Sequence, residues 1–213
     1  MGKKRSASKR QPNSRHNAPG RRVPRSVMER LQQQWPFHEV LVNENWGNFG
    51  GLTQLLVSRR SAITRDTVAG VFLVDLCCLG LKNGFLSFLD PGEYDLLVGS
   101  LNETQPMVAC EPDLAAKIVL SGLEYADSLG FKPHPDAVEA FPVLIGADAS
   151  ACDELVSLGD GKGKPLYISG PHDNVKRILA TLNRTVGPGG YEYMVGGPDA
   201  DGLDGEVIQA RSL

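Results

Sequence analysis

The chain has 213 residues, 41% hydrophobic and 22% charged, with a formal net charge of −3, the profile of a globular protein able to bury a core without disulfides or a structural metal. No apolar run approaches the ~18–20 residues that a membrane-crossing helix needs, so no membrane partner is expected. The small net charge conceals a division, because residues 1–30 carry +9 and the remainder therefore −12.

That positive charge comes from Lys3, Lys4, Arg5, Lys9, Arg10, Arg15, Arg21, Arg22, Arg25 and Arg30, against Glu29 alone. "MGKKRSASKRQPNSRHNAPGRR" has no apolar side chain other than Met1 and alanine, too little to offset its ordering entropy, so residues 1–25 read as a disordered basic arm. Such an arm suits non-specific contact with RNA or DNA phosphates, and the nine bases from Lys3 to Arg25 are the expected contacts. A solubilising tail, or one folded back on its own acidic body, is the plainer alternative. No apolar segment of a secretory signal follows the basic stretch, and Pro12, Pro19, Gly20 and Pro24 break any amphipathic transit helix.

An α+β domain is expected over 26–195. In "VPRSVMERLQQQWP" Ser26 is placed to cap a helix whose narrow stripe is Val27, Leu31 and Gln34, with Pro36 as its stop. "FHEVLVNENW" reads as a short strand. "LTQLLVSRR" and "TVAGVFLVDLCCL" read as an antiparallel hairpin, its second strand apolar on both faces and therefore covered on both sides. Gly80 and Gly84 predict that this strand ends by Leu79.

"DPGEYDLLVGSL" opens with an Asp cap and Pro91 at the first helical position. "EPDLAAKIVLSGLEYADSLGF" predicts the longest helix, with Leu114, Ile118, Leu123, Tyr125 and Ala126 near helical spacing and Gly130 beyond its end. "KPHPD" reads as extended, and "AVEAFPVLIGADAS" fits a short helix or a short strand. "PLYIS" and "PHDNVKRILATL" read as strand and helix, the latter with Val175, Ile178, Leu179 and Leu182 on one face, and "YEYMV" as a last edge strand. The picture is a small antiparallel or mixed sheet packed against two or three helices, followed by a flexible acidic tail at 196–213.

Four cysteines, Cys77, Cys78, Cys110 and Cys152, show no C-x-x-C spacing and read as thiols of a reducing cytoplasm. Cys77 and Cys78 lie in an apolar strand and read as small buried hydrophobes rather than nucleophiles. Asp75, alone in "VFLVDLCCLGLKNGF", needs a partner or a raised pKa if it is buried. It is either a general acid/base or, more simply, an acceptor for backbone N–H groups where the strand ends; Lys82 and His134 are its candidate partners. His134 with Asp136, and His172 with Asp173, pair imidazole and carboxylate in turns. They could hold a metal if the turns converged, but Asp173 or Asn174 more simply caps the helix that follows. No metal or cofactor is expected, and the candidate pocket comprises Asp75, Lys82, His134, Asp136, His172 and Asp173. "GDGKGKP" lacks phosphate-loop spacing and precedes a strand, so it reads as a turn.

"FLVDLCCLGLKNGF", with "YADSLGFKPHPD" and "PLYISGPHDN", resembles a group of bacterial proteins that has no assigned activity. The resemblance covers about residues 38–185, leaves out both ends, and implies a shared domain without transferring any catalytic residue. Together these readings predict a non-enzymatic accessory protein that binds RNA or DNA through its arm. The alternatives are a hydrolase with a site near Asp75, Lys82, His134 and His172, or a domain whose acidic body docks a basic protein.

Overall fold

The computed structural model describes residues 20–48 and 51–195, and the fold is α+β. Lys3, Lys4, Arg5, Lys9, Arg10 and Arg15 of the arm, and the acidic stretch 196–213, lie outside the described residues.

Helix α1 (Arg25–Gln34) begins after Pro24, whose carbonyl accepts from the Val27 and Met28 amides. Ser26 does not cap it, contrary to expectation: Pro24 occupies the N-cap position and no side chain bonds there. Proline suits this entry because its fixed φ pre-sets the turn. The narrow stripe nevertheless docks firmly, with Leu31 fully buried and Val27 and Met28 half-buried against the core.

Strands β1 (Phe37–Asn43), β2 (Thr53–Arg60), β3 (Thr67–Asp75), β4 (Gly80–Leu89) and β5 (Met107–Ala109) form one sheet in the order β4-β3-β2-β1-β5. Every pairing in it is antiparallel. The predicted hairpin is β2–β3, in unbroken register from Thr53↔Val74 to Arg60↔Thr67. Because side chains alternate across a strand, Val68, Phe72 and Val74 join one cluster with Leu31, Leu55, Val57 and Ile118. Ala69 and Val71 join another with Leu56, Tyr94, Leu97 and Leu101. Helix α2 (Pro91–Thr104) covers the second face. Helices α1, α3 (Pro112–Ser128) and α4 (Pro135–Glu139), with a 3-10 turn at Phe141–Leu144, cover the first. This explains why β3 is apolar on both faces from Val68 to Val74.

One expectation needs correction. The chain does turn after Asp75, but Gly80 and Gly84 do not punctuate a loop; they lie in β4, the longest strand. At Gly80, φ is +66°, and a Cβ would come within 2.5 Å of Ala126 Cβ and 2.6 Å of the Gly122 carbonyl oxygen. A Cβ on Gly84 would stand 2.7 Å from Ala137 Cα. These glycines let α3 and α4 approach the strand, a role invisible to a reading of glycine as a breaker. Of the expected antiparallel and mixed alternatives, the five-stranded sheet is the antiparallel one. β6 (Leu166–Ile168) pairs in parallel with β7 (Glu192–Met194) in a separate two-stranded sheet.

Helix α2 has the predicted cap, with Asp90 Oδ1 accepting from the Glu93 amide at 2.9 Å and the Glu93 carboxylate accepting from the Asp90 amide at 2.9 Å. α3 presents Ala115, Ile118, Val119, Gly122 and Ala126 to the sheet. Small residues at this contact let the helix lie close, while Leu114 and Leu123 flank it half-buried. The ambiguous 137–150 stretch is helical and 3-10. Helix α5 (Val175–Thr185) packs with β6 and β7 in a third cluster of Cys78, Leu129, Tyr167, Leu179 and Leu182, next to the β3–β4 turn.

Chain entry is tied to the sheet. Arg21 forms a backbone bridge to Phe88 on β4, in both directions at 3.1 and 2.8 Å. Its guanidinium lies 5.3 Å from the Phe88 ring centroid and 3.7 Å from Glu93. Arg22 is exposed, and Arg25 pairs with Glu29 at 3.0 Å within α1.

Candidate functional site

The sheet has polar clusters at both ends of the β2–β3 hairpin. At one end, Asp75 is only 5% exposed. Its Oδ1 accepts from the Cys77 and Cys78 amides at 2.8 and 3.0 Å, and the Leu79 amide also bonds to the carboxylate. Burial pushes its pKa up, while those amides and the positive field of Lys82 pull the other way. The carboxylate thus closes the turn after β3 and satisfies donors that would otherwise be buried without partners.

Lys82 reaches across the third cluster. Its Nζ lies 3.0 Å from Asp173 Oδ2, which also accepts from the Gly170 amide at 2.9 Å and stands 3.3 Å from the Tyr167 hydroxyl. Burial disfavours the Asp173 charge, but the Gly170 amide and Lys82 together outweigh it, so its pKa lies below the usual carboxylate value. Asn174, not Asp173, caps α5, its side-chain oxygen accepting from the Arg177 amide at 3.1 Å.

His134 sits beside this strand because its amide donates to the Leu81 carbonyl at 2.9 Å. Its imidazole serves α4: Nδ1 accepts from the Asp136 amide at 3.3 Å and lies 3.9 Å from that carboxylate. His172 is exposed in the turn before α5. Of the six residues chosen from sequence, the fold therefore joins Lys82 to Asp173 and His134 to Asp136. Among the described residues, no group of three or more His, Cys, Asp or Glu side chains is arranged to hold a metal ion.

Cys77 and Cys78 are buried and in no disulfide, and burial followed by the Asp75 charge drives the Cys78 pKa far upward. A thiol so held is a poor nucleophile. Half-buried Cys110 is raised to about 11, chiefly by burial. A small cavity of about 120 Å³ lies next to this turn, between Trp46, Asn48, Leu76, Cys77, Ser157 and Gly159.

The opposite end of the hairpin holds a cluster not singled out from sequence. Register slips between Phe37 and Glu39, so His38 is the extra residue of a β-bulge. Bulges re-aim side chains, and here both His38 and Glu39 meet Tyr94 on α2. The His38 and Tyr94 ring centroids are 5.5 Å apart, and the Tyr94 hydroxyl donates to Glu39 Oε2 at 2.7 Å and lies 3.0 Å from Ser58 Oγ. Arg60 lies over the same ring at 5.0 Å, its Nε donating to Thr67 Oγ1 at 3.0 Å. Burial first, then the Arg60 charge, lowers the His38 pKa.

On the other face, Arg59 is 4% exposed. It donates to the Val143, Trp35 and Ile145 carbonyls and stacks 3.8 Å from the Phe37 ring centroid. Burial lowers its pKa. The signal for this cluster was in the chain, as polar Glu39 and Ser58 at inward positions and the pair "RR" at a strand end. Only the register shows that these residues meet.

Comparison with known protein families, with curated proteins and with solved structures returned no match. No helix among the described residues is long and apolar enough to cross a membrane.

Proposed function

We propose that the protein is a non-enzymatic accessory factor that binds RNA or DNA through its basic N-terminal arm, inside a reducing bacterial cytoplasm. The observation that carries this reading is the division of charge, +9 in residues 1–30 against −12 in the rest. Fixed positive charge on an arm releases counterions from a polyanion, and an acidic body limits collapse of nucleic acid onto the rest of the surface. The arm's root supports this, because Arg21 is anchored at the same end of the sheet as Arg60, Arg65 and His38. Four cysteines outside any disulfide suit a reducing compartment.

A hydrolase near Asp75 draws on less. Its carboxylate is engaged by backbone amides, and the Nδ1 of His134 is engaged by α4.

The test is a mobility-shift titration of labelled single- and double-stranded oligonucleotides. The full chain binds both in the micromolar range at physiological salt. Replacing Lys3, Lys4, Arg5, Lys9, Arg10 and Arg15 by Gln weakens binding at least tenfold. Equal binding by that variant removes the arm from the interface.

A further inference from the structure

We propose that the groove between the start of β1 and the β2–β3 loop is a phosphate subsite on the folded body, which takes a backbone phosphodiester of the nucleic acid that the arm engages. The source of the phosphate rests on the nucleic-acid reading; the subsite itself rests on the geometry of the body.

The groove, of about 380 Å³, is lined by Phe37, His38, Arg60, Ser61 and Arg65. Six ion pairs form among the described residues, and neither Arg60 nor Arg65 takes part in one. Arg60 is half-buried and held in place by Thr67 and the Tyr94 ring. Its fork is therefore oriented before any ligand arrives, which lowers the entropy lost on binding. Arg65 stands at φ +63°, the only described non-glycine residue in the left-handed region. That conformation is unfavourable for a residue with a side chain, and here it belongs to the second arginine that lines the groove.

Acidic groups offset this charge only in part. Glu39 is engaged by the Tyr94 hydroxyl. At the His38 ring, the field of Arg60 exceeds that of Glu39, and the field of Arg65 exceeds that of Asp95. Buried Arg59, next in the strand, is compensated by carbonyl oxygens rather than a carboxylate. Two arginines and a histidine lining one shallow opening suit a tetrahedral oxyanion, which accepts forked hydrogen bonds from several directions. Continuity with the arm follows from register: Arg21 pairs with Phe88, Phe88 with Val68, Val68 with Arg59, and Arg59 with Phe37. Four strand spacings separate the arm's root from Phe37 in the groove, about 19 Å.

Two measurements on the full chain test this. In the first, inorganic phosphate is titrated against chloride at matched ionic strength while the His38 imidazole and Arg65 amide resonances are followed. Saturable shifts in the millimolar range are expected, and they are lost in Arg65→Gln, a substitution at an exposed loop position that leaves the fold intact. Shifts no larger than those with chloride overturn the subsite. In the second, Arg65→Gln weakens oligonucleotide binding about three- to tenfold and reduces the salt slope by ~0.7–0.9, one phosphate contact. Lys176→Gln/Arg177→Gln, which removes two charges on α5, leaves both unchanged. If the full chain binds no oligonucleotide but phosphate saturates the groove, the nucleic-acid reading fails and the subsite stands. If oligonucleotide binds and Arg65→Gln matches wild type in affinity and slope, the subsite fails and the arm reading stands.

Discussion

The two ends of strand β3 treat charge in opposite ways. At the Asp75 end each ionised group is partnered within the fold: the carboxylate by backbone amides, Lys82 by Asp173, and Asp173 also by Gly170 and Tyr167. At the Thr67 end, roughly 26 Å away along the strand, Arg60 and Arg65 line an open groove without ion-pair partners among the described residues. A polar cluster that satisfies itself is architecture, because nothing is left over to recognise a ligand. One that leaves positive charge uncompensated has binding capacity to spare.

If the Asp75 end is architecture, substitutions there change stability and leave nucleic-acid binding unchanged once the protein is folded. The largest effect belongs to Asp75→Ala, which strands buried amide donors and costs about 3–4 kcal/mol in urea denaturation. Asp75→Asn keeps an acceptor and costs less, and its pH dependence separates charge from hydrogen bonding. Because burial raises the Asp75 pKa above 3.8, the folded state holds its proton more tightly, and ionisation weakens the fold as pH rises through that window. Wild type therefore loses stability relative to Asp75→Asn between about pH 4 and its raised pKa. A parallel course for the two proteins across that range contradicts the burial of a titrating carboxylate.

Gly80→Ala comes next. A methyl group there meets Ala126 and the Gly122 carbonyl at a φ of +66°, so a loss of about 2–3 kcal/mol is expected, with Gly122 and α3 forced outward. A stability within about 0.5 kcal/mol of wild type would mean that α3 does not approach β4 so closely.

Smaller again is Asp173→Asn, about 1–2 kcal/mol at neutral pH, for a pair that is neither fully buried nor exposed. The sign of its pH dependence is opposite to that of Asp75. The Asp173 pKa lies below 3.8, so its contribution is present above that value and is lost as pH falls through the folded pKa. Wild type and variant should converge in urea denaturation as pH falls below the folded pKa; a difference that persists in the fully protonated state would mean that the pair does not stabilise through charge.

Local chemistry was legible in the chain where it acted over a few residues. Asp90 and Pro91 announced α2, and the alternation around "LTQLLVSRR" announced the central hairpin, since both depend on neighbours in sequence. Asp75 likewise bonds to amides two and three residues away, which is why its structural reading could be framed beforehand. β4 was missed because Gly80 and Gly84 serve contacts with Gly122, Ala126 and Ala137, none of them near in sequence. The same limit hid the groove: Ser58 reaches Tyr94 across 36 positions, and Glu39 reaches it across 55. Lys82 and Asp173, 91 positions apart, were both named as candidates, yet nothing in their spacing predicted that they would pair with each other. What sequence cannot supply is register, and here a one-residue bulge decides which side chains meet.

Most direct for the central claim is the slope of log Kd against log salt for the full chain and a labelled single-stranded oligonucleotide. With the six arm bases and the groove all engaged, Kd rises with salt at a slope of about +4 to +5. A slope near zero, or no binding at low salt, would contradict the account of a basic arm and groove that act together on phosphates.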